Sequence, residues 1–296
     1  PFTTDGNRFS FAYNWPGNLI IGMNNTNGVQ IWQGADEHNL QAVVLNGMGN
    51  AGSTSFTNHA AYPVVFNGEI YVGVNNNLEG GQIWRSQDGA NWRLSVADGI
   101  DSPFNQSLRP ELVVSNHIIA RTSRWSVDGK MTYLLYRSSD GISWEPVTIQ
   151  IGNTSLISFS NLVFGKLNNE VFLAVNSDGK NAAGNGSLVN SLTEGVLLLK
   201  SGNGIDWQPV SLDGISSSDI LSASLISYGD YLALTLWDIN KLGQIWLTSD
   251  GVNWRSIYQA PQYSDTASGL AVFFENGRLY LAECDSTAGF SLLQYQ

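Results

Sequence analysis

The chain has 296 residues, with 25 acidic against 14 basic side chains and a formal net charge of −11. Such a surface repels phosphate backbones and anionic membranes, which argues against a nucleic-acid partner. No apolar run reaches the length of a membrane span, so membrane insertion is not expected. Charged residues make up only 13%, beside 31 glycines and 33 aromatics in the form of 10 Trp, 11 Tyr and 12 Phe. That mix suits many short strands joined by tight turns. The lone cysteine, Cys284, excludes an intrachain disulfide and reads as a small residue at a strand end.

The same series of short apolar segments is written six times. The first unit runs FAYNW (11–15), LIIGMNN (19–25) and a short QIW (30–32), then GADEHNL (34–40) and VVLNG (43–47). The second runs YPVVF (62–66), EIYVGVNN (69–76), QIWRS (82–86), SQDGANW (86–92) and SVADG (95–99). The third is ELVV (111–114), HIIARTS (117–123), YLLYRS (133–138), SSDGISW (138–144) and VTIQIG (147–152). The fourth is NLVF (161–164), EVFLAVNS (170–177), VLLLKS (196–201), SGNGIDW (201–207) and VSLDG (210–214). The fifth is ASLISY (223–228), DYLALTL (230–236), QIWLTS (244–249), TSDGVNW (248–254) and SIYQAPQ (256–262). The sixth keeps LAVFF (270–274), RLYLAEC (278–284) and SLLQY (291–295) and lacks the turn motif.

Two apolar runs split by a Gly, Asn or Asp turn read as a hairpin, so each unit predicts four antiparallel strands. A four-stranded unit every 50 or so residues predicts one blade of a β-propeller. The predicted fold is therefore all-β, a single domain over 1–296 with six four-stranded blades. PFTTDG (1–6) resembles the fourth-strand endings SVADG and VSLDG. It is expected to supply the missing outer strand of the last blade and so close the ring.

The turn motif has a physical reading. Asp is short enough to accept hydrogen bonds from its own turn, Ser or Thr can tie the strand end, and Gly takes a positive φ. The Trp returns a large apolar surface between units. Asn203 replaces Asp in the fourth copy and keeps the acceptor; the first copy retains Asp36 with Leu40 in the Trp position.

S/T-x-D-G-x-x-W resembles the Asp-box, or bacterial neuraminidase repeat, of sialidases and related propellers, in a form one residue shorter between Asp and Trp. The extended pattern G-x-Q-I-W-R-S-x-D-G-x-x-W is similar to that of many uncharacterised bacterial propeller proteins, and the resemblance covers nearly the whole chain. It implies that the Asp-box turns lie on one face. Ligand-facing loops then lie on the other, including the longest, 176–194, which suits a flap. The sialidase Arg-Ile-Pro element is absent, Asn7-Arg8-Phe9 being a weak analogue, and sialidase activity itself is not expected.

Repetition explains what the units share, so function is sought in what one unit does alone. The third brings Arg109, Glu111, Arg121, Arg124 and Trp125 towards one sector. Arginines beside an aromatic suit a carboxylate or a flat ring. Trp237 and His59 are further ligand-binding candidates, and Trp15 is the remaining unrepeated tryptophan. Acid–base candidates are Glu111, Asp219, Asp265 and Asp285. His38, His59 and His117 are too dispersed for a metal motif; no metal and no cofactor are expected.

Sequons occur at Asn24, Asn105, Asn153 and Asn185. No signal peptide is visible, and the reading leaves room for a leader or an initiator Met removed ahead of Pro1. A secreted or periplasmic location is expected, with a cytoplasmic one left open. The leading functional reading is a recognition propeller that binds a glycan or other small polar ligand at the loop face. The alternatives are an enzyme with one channel-mouth site, acting on a glycan or an organic metabolite, and a protein-interaction scaffold.

Overall fold

The computed structural model describes residues 7–50, 52–57, 63–125, 131–151, 154–156, 161–177, 195–211, 220–238, 243–259, 269–275, 278–285 and 289–295. Contacts divide the chain into two compact units, Pro1–Thr148 and Ile149–Gln296. The described residues are all-β apart from one 3₁₀ turn at Gly47–Gly49.

The first unit opens with a four-stranded antiparallel sheet of β1 (Arg8–Trp15), β2 (Asn18–Asn24), β3 (Gln30–Gly34) and β4 (Gln41–Val44), paired in chain order. Gly22 lies opposite Phe11, and a Cβ there would stand 2.2 Å from the Phe11 ring; only glycine lets that ring reach the core. Next come β5 (Ser53–Phe56), β6 (Val64–Phe66), β7 (Glu69–Asn76), β8 (Gln82–Ser86) and β9 (Trp92–Val96). The unit ends with β10 (Asn105–Val114), β11 (His117–Trp125), β12 (Met131–Ser138) and β13 (Glu145–Val147).

These nine strands form one sheet, not two separate blades. β10 joins β7 through the single pair Ser107↔Asn75. The first strand of the second repeat is also split, since β5 and β6 both pair with β7. The stretch between VVLNG (43–47) and YPVVF (62–66) therefore contains strand. Alternate residues of β7 bury Ile70, Val72 and Val74 with Phe11, Ile20 and Phe56, while Tyr71 packs with Phe66, Leu108 and Ile118. A strand buried on both faces is what a middle position between layers requires.

The second unit opens with a hairpin of β14 (Ile149–Ile151) and β15 (Thr154–Leu156). VTIQIG is thus not one strand: Val147 ends β13, and Ile149 begins the hairpin. Two four-stranded sheets follow. One is β16 (Asn161–Leu167), β17 (Glu170–Ser177), β18 (Gly195–Ser201) and β19 (Gln208–Pro209). The other is β20 (Ile220–Tyr228), β21 (Tyr231–Asp238), β22 (Gly243–Thr248) and β23 (Arg255–Gln259). They share a core of Leu167, Phe172, Leu225, Leu232 and Leu234. The last sheet has three strands, β24 (Gly269–Glu275), β25 (Arg278–Asp285) and β26 (Gly289–Tyr295). No sheet closes on itself among the described residues, and the expected closing strand 1–6 lies outside them.

The repeated turns have the expected internal bonds. Asp88 Oδ1 accepts the N–H groups of Ala90 (2.9 Å) and Asn91 (2.7 Å), and Ser86 Oγ accepts Gly89 N–H (2.8 Å). Asp140 and Asp250 repeat the pattern with Ile142 and Ser143 and with Val252 and Asn253. Asn203 does the same with its amide oxygen, and Asp36 still accepts His38 and Asn39. These bonds hold the Asp88, Asp140 and Asp250 carboxyls well below the usual carboxylate range.

The turns of repeats two, three and five also dock on the preceding repeat. A Cβ on Gly141 would lie 2.0 Å from the Tyr71 hydroxyl, and one on Gly251 would lie 2.4 Å from Phe172. Ser95 Oγ donates to Gly141 O at 2.5 Å and accepts from Trp144 Nε1 at 3.3 Å. Gln33 and Trp15 likewise donate to Asp88 O and Gln87 O. The motif therefore acts as a fastener between neighbouring repeats, and Trp15 is part of that fastening.

Candidate functional site

The end of the first unit opposite these turns is built from two loops of equal length. GMGNAGS (47–53) and GIDSPFN (99–105) follow the fourth strands of repeats one and two. Gly47 N–H bonds Val29 O (3.1 Å) and Val29 N–H bonds Ser53 O (2.7 Å). Gly99 N–H bonds Gly81 O (3.1 Å) and Gly81 N–H bonds Asn105 O (2.7 Å). Each loop thus latches onto the turn between strands two and three of its own repeat.

Both latches hold a non-glycine residue in the left-handed region, Met48 at φ 60° and Ile100 at φ 72°. A β-branched residue there is a true outlier, but the repetition assigns this strain to the latch itself.

What differs is chemistry. The first latch carries the small residues Gly49, Ala51 and Gly52, whereas the second carries Asp101, Pro103 and Phe104. Asp101 accepts hydrogen bonds from Tyr136 Oη (2.9 Å) and Asn105 Nδ2 (2.9 Å), and it pairs with Arg124 Nη2 at 3.5 Å. Arg124 Nε donates to Asn105 Oδ1 at 2.8 Å. Burial and the Asp101 carboxylate push the Tyr136 hydroxyl up to about 12. It therefore stays protonated and donating. Beside this clamp the Phe104 ring is 68% exposed. Asn105 is fully buried, which removes its sequon from solvent; Asn24 is half-buried and accepts Phe56 N–H, and Asn153 and Asn185 lie outside the described residues.

The arginines of the third repeat divide into two groups. Arg109 and Arg121 are Cα partners across β10 and β11 and flank Glu111, with Nε–Oε1 separations of 3.3 and 2.6 Å. Glu111 is the extra residue of a bulge between Pro110 and Leu112, and its side chain is only 8% exposed. Arg121 also stands over the Tyr133 ring, 5.1 Å from its centroid. Burial pushes the Glu111 carboxyl up and the Arg109 guanidinium down, while the two arginines oppose the shift in Glu111. Two guanidiniums thus face one carboxyl group.

Arg124 stands three residues beyond Arg121, and the pleat turns it to the other face of the sheet. The expected single arginine cluster is therefore two groups, one on each face of the sheet.

The remaining candidates are spread out. Trp125 ends β11 opposite Met131, and Asp285 ends β25 opposite Gly289. Trp237 is half-buried in β21, paired with Ser222 and Gly243. His59, Asp219 and Asp265 lie outside the described residues, as does most of the long loop 176–194. No group of three His, Cys, Asp or Glu side chains among the described residues is placed to hold a metal. No helix among them is long and apolar enough to cross a membrane. The sequence reading missed Asp101, Asn105, Tyr133 and Tyr136, although the equal lengths of 47–53 and 99–105 were a visible signal.

The chain matches no protein-family model and no curated protein. Among solved structures it is similar to Trypanosoma rangeli sialidase in complex with 2,3-difluorosialic acid (covalent intermediate). That likeness has a TM-score of 0.51 and 13% identity, over 97% of this chain and 53% of the sialidase. It is also similar to the same sialidase in complex with the inhibitor DANA, with a TM-score of 0.50 and 14% identity, over 97% and 54%. The chain spans about half the length of those structures. The likeness shows the fold, a sialidase-like β-propeller.

Proposed function

We propose that this chain is a recognition propeller that binds a glycan or another small polar ligand at the second latch, where Asp101 and Phe104 of repeat two meet Arg124 and Tyr136 of repeat three. The observation that carries the reading is the contrast between the two latches. The same backbone is drawn twice, and only the second is furnished with an exposed aromatic ring, a clamped carboxylate and a guanidinium. An aromatic face with fixed donors and acceptors suits a sugar ring and its hydroxyls. The same reading gives Arg109 and Arg121 an anion-binding part, since their two guanidiniums face the one Glu111 carboxyl.

The proposal includes membership of the Asp-box group, on the turn motif, and a six-bladed ring in which residues 1–6 pair with β26. Support for the latter is the apolar, solvent-facing character of β26, where Phe290, Leu292 and Leu293 are 69%, 51% and 41% exposed.

Screening the whole chain against immobilised glycans tests the function. Phe104→Ala and Arg124→Ala should each abolish capture of a bound glycan while thermal stability stays near wild type. Capture unchanged in both variants defeats the reading. Glycan cleavage by the wild-type chain would replace recognition by the enzyme alternative.

A further inference from the structure

Repeats two to four place charge pairs at register-equivalent positions beside the turn motif. Arg85 pairs with Arg93 in register, and both bind the Glu69 carboxylate between them. Arg137 faces Glu145, with Nε and Oε1 at 2.6 Å. Lys200 faces Gln208 and reaches Glu170 at 3.2 Å.

The fifth repeat breaks this series. Leu247 stands where Arg85, Arg137 and Lys200 stand, and its register partner is Arg255. Among the described residues no carboxylate forms an ion pair with Arg255; its guanidinium lies 5.9 Å from the Tyr295 ring centroid. A groove of about 400 Å³ is present here, lined by Tyr231, Leu247, Asp250, Asn253, Trp254 and Arg255. Its volume falls within the range of roughly 300–1,000 Å³ typical of small-molecule sites. Tyr231 is 42% exposed, and the buried Trp254 Nε1 has no hydrogen-bond partner.

We infer that this groove is a second ligand site, separate from the latch end, that takes a neutral polyol of pyranose size. Tyr231 offers a ring face to the C–H side of a sugar. Arg255 offers several N–H donors to its hydroxyls. The Asp250 carboxylate balances the guanidinium, so the walls carry no net charge and an anionic ligand gains nothing from entering. Leu247 is buried against Ile245, Val272 and Leu281, so no charged side chain at this position draws an internal ion pair across the space.

The test uses the indole N–H signal of Trp254 in the ¹⁵N-labelled chain, assigned with Trp254→Phe. Methyl β-glucopyranoside, methyl β-galactopyranoside, glycerol and glucuronate are titrated to concentrations on the order of 10 mM, since single exposed sites bind weakly. A saturable shift with a methyl glycoside is expected, together with a much weaker response to glucuronate and glycerol. Tyr231→Ala and Arg255→Ala should remove the shift while the thermal midpoint holds. Arg93→Ala, at the equivalent place in repeat two, should keep it, as should Phe104→Ala at the latch end. Absence of any saturable shift overturns the inference, as does a shift that survives in both Tyr231→Ala and Arg255→Ala. Tighter binding of glucuronate overturns the neutral class. Loss of glycan capture in Phe104→Ala with the Trp254 response intact concerns the latch site alone.

Discussion

The third and fifth repeats carry the same turn, yet they fasten it differently. In the first unit Trp144 Nε1 donates to Ser95 Oγ, and Ser95 passes a hydrogen bond on to Gly141 O. In the second unit Val210 holds the position that Ser95 has in SVADG, as the aligned VSLDG shows. Trp254 there packs on Phe172 edge to face at 6.3 Å and leaves its indole N–H unpaired. The turn itself is local and tolerates either neighbour. A motif whose inner bonds are constant while its outer contacts change is a scaffold part, and ligand chemistry is better sought where repeats differ.

The largest expected effect tests the packing half of this contrast. Trp144→Ala should cost about 3–5 kcal/mol in urea unfolding, because it empties an aromatic volume between repeats. Trp254→Ala should cost about 1 kcal/mol less, since it breaks no hydrogen bond. Equal losses would show that the Ser95 bond contributes nothing. Gly141→Ala comes next, at about 2–4 kcal/mol, because it adds left-handed strain to a clash with the buried Tyr71 hydroxyl. A melting midpoint unchanged by that substitution would mean that the turn does not dock on Tyr71.

The polar half is sharpened by exchanging the two neighbours. Ser95→Val removes the partner of Trp144 Nε1 and of Gly141 O and should cost about 1–3 kcal/mol. Val210→Thr supplies an acceptor near Trp254 at nearly constant volume and should shift stability by no more than about 1 kcal/mol, in the stabilising direction if the bond forms. Denaturant midpoints of the two variants check the pair, and a loss at Val210→Thr as large as that at Ser95→Val would break the comparison.

The strands and turns were legible in the sequence because their signals are short-ranged: apolar runs, Gly-rich turns and the Asp that accepts its own backbone. The joining of repeats two and three was not, because it rests on one long-range pair, Ser107↔Asn75, with no pattern of its own. The bulge at Glu111 was equally silent, although it places the carboxylate between two arginines. The separation of Arg124 from Arg121 was legible in principle. Residues three apart on a strand face opposite ways, so nearness in sequence is not nearness in space. The latch clamp was half legible: loop lengths pair 47–53 with 99–105, but nothing short of the fold brings Tyr136 to Asp101.

The smallest expected effect separates charge from geometry in the turn. Asn203 shows that an amide oxygen builds the same turn, accepting Ile205 and Asp206 N–H at 2.9 and 2.8 Å. Asp140→Asn should therefore keep the fold at neutral pH with little change in the urea midpoint. The difference appears in acid. The Asp140 carboxyl is held below its unfolded value of about 3.9, first by the backbone N–H of Ser143 and then by that of Ile142. The unfolded chain consequently binds more protons than the folded one below that pH. The stability contributed by the ionised carboxylate is complete above about pH 4 and is lost as pH falls towards the lower, folded value. An asparagine does not titrate, so the Asp140→Asn chain should lose less stability than wild type between neutral pH and about pH 3. Urea midpoints at the two pH values measure this directly. An equal loss in both chains would mean that the turn gains nothing from its charge, and that Asp and Asn are interchangeable there at every pH.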